Sequence, residues 1–209
     1  MTEEQFTAAL LAGKGLLAAL TERDRYTVWH QDRVGLLAER LARQLGLSGS
    51  EVRQARATGI YHDIGKIAVP DDALFKPGPL THAEWSAMQA HSEIGERILM
   101  ASENPLLRSI AGFVRHHHEK YDGSGYPDGL TGGEIPLVAQ IVSIADAYDA
   151  MASERPYRPI RRHETIVAVL AGEVWQKWDG TLFDALVRIF EHDEEVKQSY
   201  AALDSVDPG

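Results

Sequence analysis

Tyr61-His62-Asp63-Ile64-Gly65-Lys66 is the stretch on which the reading of this chain turns. Neighbouring side chains leave a helix about 100° apart, so His62 and Asp63 need not face one point identically. A carboxylate has two oxygens and can bridge two cations, whereas each imidazole serves one. That gives Asp63 a central place and His62 a peripheral one. Lys66, a helical turn onward, could reach an anionic substrate as a point charge. A surface His-Asp pair at a helix end would read the same way, so the stretch needs support from elsewhere.

Support lies on both sides. Downstream, His116-His117-His118-Glu119 opens a segment running through Asp122-Gly123-Ser124-Gly125-Tyr126-Pro127. Two neighbouring imidazoles splay apart, which suits one ligand to each of two metals, and the glycines permit close backbone approach. Three histidines at a solvated helix end are the plain alternative. Further on, Asp146 and Asp149 sit on an apolar helix, where a carboxylate is costly unless paired or metal-bound. Helical spacing leaves them close together and does not choose between them. His30 and His91 each lie in an amphipathic helix, where a lone histidine is more often a hydrogen-bonded packing residue. The chain has nine histidines, and His30, His62, His91, His117 and His118 would take more than half of them. With Asp63 and Asp146 they form an all-nitrogen-and-oxygen set suited to two hard-to-borderline cations held close together.

Around these residues apolar side chains recur at three- and four-residue steps, which predicts helices over about 3–22, 27–46, 49–64, 81–100, 104–118, 136–152, 161–174 and 181–196. Gly46 reads as a C-cap and Thr81 with Glu84 as a capping box. Lys76-Pro77-Gly78-Pro79 breaks the chain. The largest non-helical piece, Tyr121 to Pro136, carries five glycines and two prolines. A loop of that length in a compact domain is usually functional or disordered, and its aromatic residues favour function. The expected domains are an N-terminal helix or linker over about 1–22, a main domain over about 23–195 and a tail over about 196–209. The tail, acidic and polar from Glu194, is expected to fray. Phe6, Leu10, Leu11, Leu17 and Leu20 fit a linker remnant, a dimerisation helix or simple packing, with packing favoured.

Composition narrows the classes. The 209 residues are 44% hydrophobic and 25% charged, as in an ordinary globular protein with one well-buried core or two small ones. No apolar run approaches the roughly 18 residues a membrane helix needs, so no membrane partner is expected. The first residues, MTEEQFTAALLAGKG, carry acids where a signal peptide carries bases. The absence of cysteine excludes disulfides and thiolate ligands and fits a cytoplasmic protein. A net charge of −10 argues against a DNA binder, which would show a basic face. A small anionic substrate stays open, because bound cations dominate the local field of a site.

The string His62-Asp63-Ile64-Gly65-Lys66, the run His117-His118-Glu119…Asp122-Gly123-Ser124-Gly125-Tyr126-Pro127 and Arg155-Pro156-Tyr157-Arg158 resemble the HD-GYP family, the bacterial metal-dependent cyclic di-GMP phosphodiesterases of the HD superfamily. The similarity runs from about Asp24 to Phe190 and takes in Lys76-Pro77-Gly78 and Glu84-Trp85. It implies an all-α, single HD-superfamily helical bundle with a long Gly-rich loop. It makes His30, His62, Asp63, His91, His117, His118 and Asp146 the metal ligands, preferring Asp146 over Asp149 and leaving His116 out. Lys66, Arg155 and Arg158 would hold the nucleotide, with Asp24 a further contact. Gly125-Tyr126-Pro127 would shape the pocket and a surface for a partner such as a diguanylate cyclase; a homodimer is also open.

Two departures stand out. Family members with three metals carry a glutamate where this chain has Tyr26, so two divalent ions are expected, iron or manganese. The family's Phe-Asp-Pro becomes Phe183-Asp184-Ala185 after an unusual Trp178-Asp179-Gly180, a change expected to affect the start of the last helix. The implied reaction is hydrolysis of cyclic di-GMP to pGpG, with a second cut to GMP open, by a water activated beside Asp63. The rival readings are another cyclic dinucleotide such as cyclic GMP-AMP, and a catalytically weak nucleotide-responsive interaction module.

Overall fold

The computed structural model describes residues 2–23, 27–153 and 162–204, with the backbone alone at 27–28 and 201–204. Among the described residues the chain is helical and contains no strand, in agreement with the all-α expectation. Helices α1 (Glu3–Ala12) and α2 (Lys14–Arg23) precede the long α3 (Thr27–Gln44) and α4 (Gly49–Tyr61). A 3-10 stretch, Ile64–Ala68, leads to α5 (Asp71–Leu74), α6 (His82–Gln89), α7 (His91–Met100) and α8 (Pro105–His116). After the long loop come α9 (Leu137–Ala152), α10 (His163–Gly172), α11 (Gly180–His192) and α12 (Glu194–Asp204).

Local chemistry sets several of these boundaries. Ser48 and Thr81 each close a capping box, with Glu51 and Glu84 respectively, which satisfies donors that a helix start leaves open. Past the end of α3, Gly46 takes φ +74°, and the Gly46 and Leu47 amides donate back to Arg43 and Ala42 at 3.0 Å each. This αL closure is open to glycine at little steric cost. Asp179 caps α11, accepting from the Thr181 amide at 2.7 Å, while Trp178 is fully buried. The unusual Trp178-Asp179-Gly180 thus shapes the start of that helix.

Four expectations are corrected. The segment 3–22 is two helices, broken at Gly13, where the Tyr61 hydroxyl packs so close that a Cβ would lie 2.1 Å from it. The segment 49–64 stops at Tyr61 and tightens into 3-10 geometry. The segment 81–100 breaks at Ala90. That break reconciles a solvent-facing α6, with no buried residue, and an α7 that buries His91, Gly95 and Leu99 at four-residue steps. Finally, Glu194–Asp204 is helical where a frayed tail was expected: Val196 and Tyr200, one turn apart, are buried in the core. Arg40 of α3 also pairs with Asp193 at 3.1 Å and with Glu195.

Apolar burial is divided between two clusters. One joins α3, the start of α4, α9, α10, α11 and α12 around Leu37, Leu41, Ile141, Tyr148 and Leu186. The other joins α1, α2, α4, α7 and α8 around Phe6, Leu20, Tyr61, Leu99 and Ile110. Phe6 and Leu20 thus pack the N-terminal helices onto the body of the fold. The α3–α4 crossing ties the two halves together and depends on a glycine pair: a Cβ on Gly59 would sit 2.7 Å from Gly35 Cα and 2.8 Å from Gly35 N. Backbone on both sides leaves no flexible group to yield. Gly59→Ala should therefore destabilise the fold by about 1–3 kcal/mol. A urea midpoint unchanged from that of the parent chain would contradict this account of the crossing.

Candidate metal centre

The seam between the two halves collects the candidate ligands. His30 comes from the first turns of α3, His62 and Asp63 from the turn after α4, His91 from the start of α7, His117 and His118 from the end of α8, and Asp146 from α9. His30, His62, Asp63, His91 and His117 are buried. Two groups could each hold a cation, His30–His62–Asp146 and His91–His117–His118; within each, the ligand atoms lie within 4.8 Å of one another. Asp63 stands between them. Its Oδ2 is 3.4 Å from His62 Nε2 and its Oδ1 is 3.5 Å from His91 Nε2. The His62 and His117 rings, 5.2 Å apart, link the two groups directly.

Short-range backbone geometry aims these rings. Asp63, at φ −94° and ψ 5°, occupies the sparsely populated bridge region frequent at functional sites. Gly65 lets the following turn press onto α7, since a Cβ there would lie 1.9 Å from the His91 carbonyl oxygen. Nδ1 of His62 lies 2.8 Å from the Gly59 carbonyl, that of His91 2.6 Å from Met88 and that of His117 2.6 Å from Val114. A carbonyl only accepts, so each Nδ1 carries its proton and donates it. In the neutral ring, Nε2 is then a bare lone pair aimed inward. His30 is fixed by a carboxylate instead, with Nδ1 2.7 Å from Asp149 Oδ2.

This arrangement fits divalent cations. Nε2 of His62 is buried with no hydrogen-bond partner, and Nε2 of His91 faces Nε2 of His117 at 3.4 Å. Lone pairs packed this way repel unless positive charge lies among them. The donor set, nitrogen and oxygen without sulfur, suits iron, manganese or zinc.

The two groups differ electrically. Burial holds His91, His117 and His118 below the usual imidazole range, His118 near 3. Burial thus favours the neutral form in which an imidazole can bind a cation. His30 is also buried, but its bonds to Asp146 and Asp149 outweigh burial and lift it to about 9. Its Nε2 is 3.2 Å from Asp146 Oδ1. Asp63 is held well below the usual carboxylate range despite burial, chiefly by Lys66; the Lys66 ammonium is 2.6 Å from Asp63 Oδ2. Three residues per turn in the 3-10 stretch align positions 63 and 66.

Sequence reasoning missed a supporting layer. Asp149, weighed there only as a rival to Asp146, is fully buried behind His30. It accepts from Arg33 Nε at 2.6 Å and from Ser153 Oγ at 3.0 Å. Its three-residue spacing from Asp146, matched by that of Arg33 from His30, was the available signal. Glu119 was quoted only as part of a motif. It is buried and accepts three loop amides, from Asp128, Gly129 and Leu130, at 2.7, 3.1 and 3.0 Å. Arg115 grips Asp128 with two bonds of 2.7 Å, and His116 adds one of 2.8 Å. The long loop is thereby folded back onto α8. Tyr126, between Gly125 and Pro127, stacks on His118 at 4.8 Å between centroids. Asp24, Tyr26, Arg155 and Arg158 lie outside the described residues.

Two outcomes follow from this geometry. A cation at His30 must displace its proton, so metal uptake at neutral pH should release about one proton and weaken about tenfold per pH unit below 9. Before metal binds, the protonated His30 stabilises the fold fully below pH 6.5, and that contribution is lost as pH rises through about 9. Titration calorimetry in buffers of different ionisation enthalpy measures the release; none at pH 7 would refute the assignment. Separately, Glu119→Gln leaves one acceptor oxygen where three amides now converge. Amide hydrogen exchange at residues 126–131 should rise at least about tenfold, from the loss of at least 1.5 kcal/mol. Unchanged protection there would remove Glu119 as the loop's anchor.

Comparison with known proteins agrees with this geometry. Residues 6–182 match the HD domain family model. The chain is 43% identical over 173 residues to the cyclic di-GMP phosphodiesterase response regulator RpfG of Xanthomonas campestris, covering 83% of this chain and 46% of that protein. It is 39% identical over 188 residues to 3'3'-cGAMP-specific phosphodiesterase 2 of Vibrio cholerae, covering 90% of this chain and 35% of that protein. It thus spans less than half the length of these curated relatives. In fold it is similar to Bd1817, an HDG"Y"P protein from Bdellovibrio bacteriovorus, with a TM-score of 0.62, 19% identity and coverage of 79% of this chain and 52% of the other. No helix among the described residues is long and apolar enough to cross a membrane. With His62-Asp63 at the seam of an all-helical fold and Gly125-Tyr126-Pro127 folded over His118, the chain belongs to the HD domain family, in its HD-GYP branch.

Proposed function

We propose that this chain is a metal-dependent phosphodiesterase that hydrolyses a cyclic dinucleotide, cyclic di-GMP first, to pGpG, with a further cut to GMP, in the cytoplasm of a bacterium. In this reading His30, His62, Asp63, His91, His117, His118 and Asp146 hold two divalent ions, iron or manganese. The observation that carries it is the placing of the two Asp63 oxygens, one 3.4 Å from His62 Nε2 and the other 3.5 Å from His91 Nε2, at the join of two three-ligand groups. Bound cations supply Lewis acidity that offsets charge on a phosphodiester and a water acidic enough to attack near neutral pH.

The chain's own residues do the rest. Asp63 is kept anionic by Lys66 and turns one oxygen toward each group. Burial and the charges of Asp63 and Asp146 push the Tyr126 phenol up, so it remains a neutral donor while its ring covers His118. Lys66, one-quarter exposed, adds positive charge beside Asp63 for an incoming phosphate. Asp24, Arg155 and Arg158 are assigned to the nucleotide on family resemblance alone.

The 39% identity to a 3'3'-cGAMP-specific enzyme favours a second reading, in which the preferred dinucleotide carries an adenine. Parallel kcat/KM measurements on cyclic di-GMP and 3'3'-cGAMP with the manganese-loaded protein decide between them. Asp63→Ala should lower turnover of the preferred substrate by at least about a thousandfold. An ordinary rate in that variant would rule the mechanism out.

A further inference from the structure

Helix α12 begins after residue 182, where the family match ends, yet it packs against the back of the metal centre. Tyr200 is buried, and its ring meets that of Tyr148 edge-on at 5.0 Å between centroids. Tyr148 precedes Asp149 in α9, and Asp149 holds His30 Nδ1 at 2.7 Å. The Tyr200 hydroxyl is enclosed beside the Asp149 carboxylate. Burial and the nearby charge of Asp149 push its pKa well up, so it is a neutral donor within the field of that carboxylate. A second tie runs from Arg40, on the helix that carries His30 and Arg33, to Asp193 and Glu195 at the start of α12.

Among the described residues, no comparable tie from α12 reaches the His91–His117–His118 group. His91 and His117 take their orientation from the Met88 and Val114 carbonyls on α6 and α8, and Tyr126 covers His118. We propose that α12 is a positioning element for one half of the metal centre: Tyr200 packs beside Asp149, Asp149 sets the ring of His30, and His30 belongs to the His30–His62–Asp146 group alone. Drawing α12 away would take the Tyr200 wall from Asp149, leave that carboxylate to Arg33 and Ser153, and weaken one cation position while the other stays formed. A centre that needs both cations could thus be switched off from the C-terminal helix. This inference rests on the two-cation reading above.

The test is calorimetric titration of the metal-free full chain with Mn2+ alone, with circular dichroism to confirm folding. The parent chain should show two binding events. Tyr200→Ala should weaken one of them by about 10–100-fold, as loss of an outer partner of a ligand does, and leave the other unchanged. Asp149→Asn should weaken the same event, and adding Tyr200→Ala to it should change little more. A folded Tyr200→Ala protein with both events unchanged, or both weakened alike, overturns the inference. Should Tyr200→Ala fail to fold, Tyr200→Phe keeps the ring; weakening of the same single event supports the proposal, and two unchanged events overturn it. Fewer than two events in the parent chain would overturn the two-cation reading itself, a result distinct from any change confined to the variants.

Discussion

The structure turns on a concentration of bare nitrogen lone pairs that the fold creates and cannot itself neutralise. Three imidazoles, His62, His91 and His117, spend their Nδ1 protons on carbonyls three residues earlier in the chain. Each Nε2 is left pointing into a space shared with two carboxylates. Hydrogen bonding could in principle disarm such a site by turning one ring over, but the local carbonyl holds each ring in one tautomer. The cavity is therefore committed to positive charge before any ligand arrives, which is pre-organisation in the plainest electrostatic sense.

That commitment is distributed unevenly. In the His91–His117–His118 half, burial disfavours protonation. The His30–His62–Asp146 half keeps its proton because Asp146 and Asp149 flank His30. A cation entering the neutral half meets lone pairs ready to bind, whereas one entering the other half competes with a proton. Asp63, with one oxygen turned to each, couples the halves. The same fold thus offers two positions of different character, and among the described residues α12 packs behind the second.

Around this centre the long loop is not a loose cover. Glu119 gathers three of its amides and Arg115 clamps Asp128, so a piece rich in glycine is held by charge-assisted bonds. Tyr126 is delivered onto His118 as a result, and Trp85 of α6 meets the same tyrosine edge-on at 6.3 Å between centroids. The motif Gly-Tyr-Pro reads as a loop signature in sequence, and in space it becomes one wall of the site.

The helical class and the His62-Asp63 and His117-His118 pairs were legible in the chain because they rest on local chemistry: three-and-four periodicity, capping residues, and an adjacent His-Asp and His-His; His30, His91 and Asp146 were singled out through the family resemblance. The choice of Asp146 over Asp149 was not legible from spacing, since both lie on one side of α9; only the placement of His30 between them separates a site-facing carboxylate from one that orients the ring. The breaks at Gly13 and Ala90 and the burial of Tyr200 were equally out of reach. Each answers to a partner distant in sequence, such as the Tyr61 hydroxyl against Gly13 or Tyr148 against Tyr200. The sequence by itself determined which groups can bind a cation, because donor chemistry belongs to the residue. Only the tertiary structure decided which lone pairs face one another and which carboxylate stands behind, because those are relations between helices that the chain brings together from positions up to 119 residues apart.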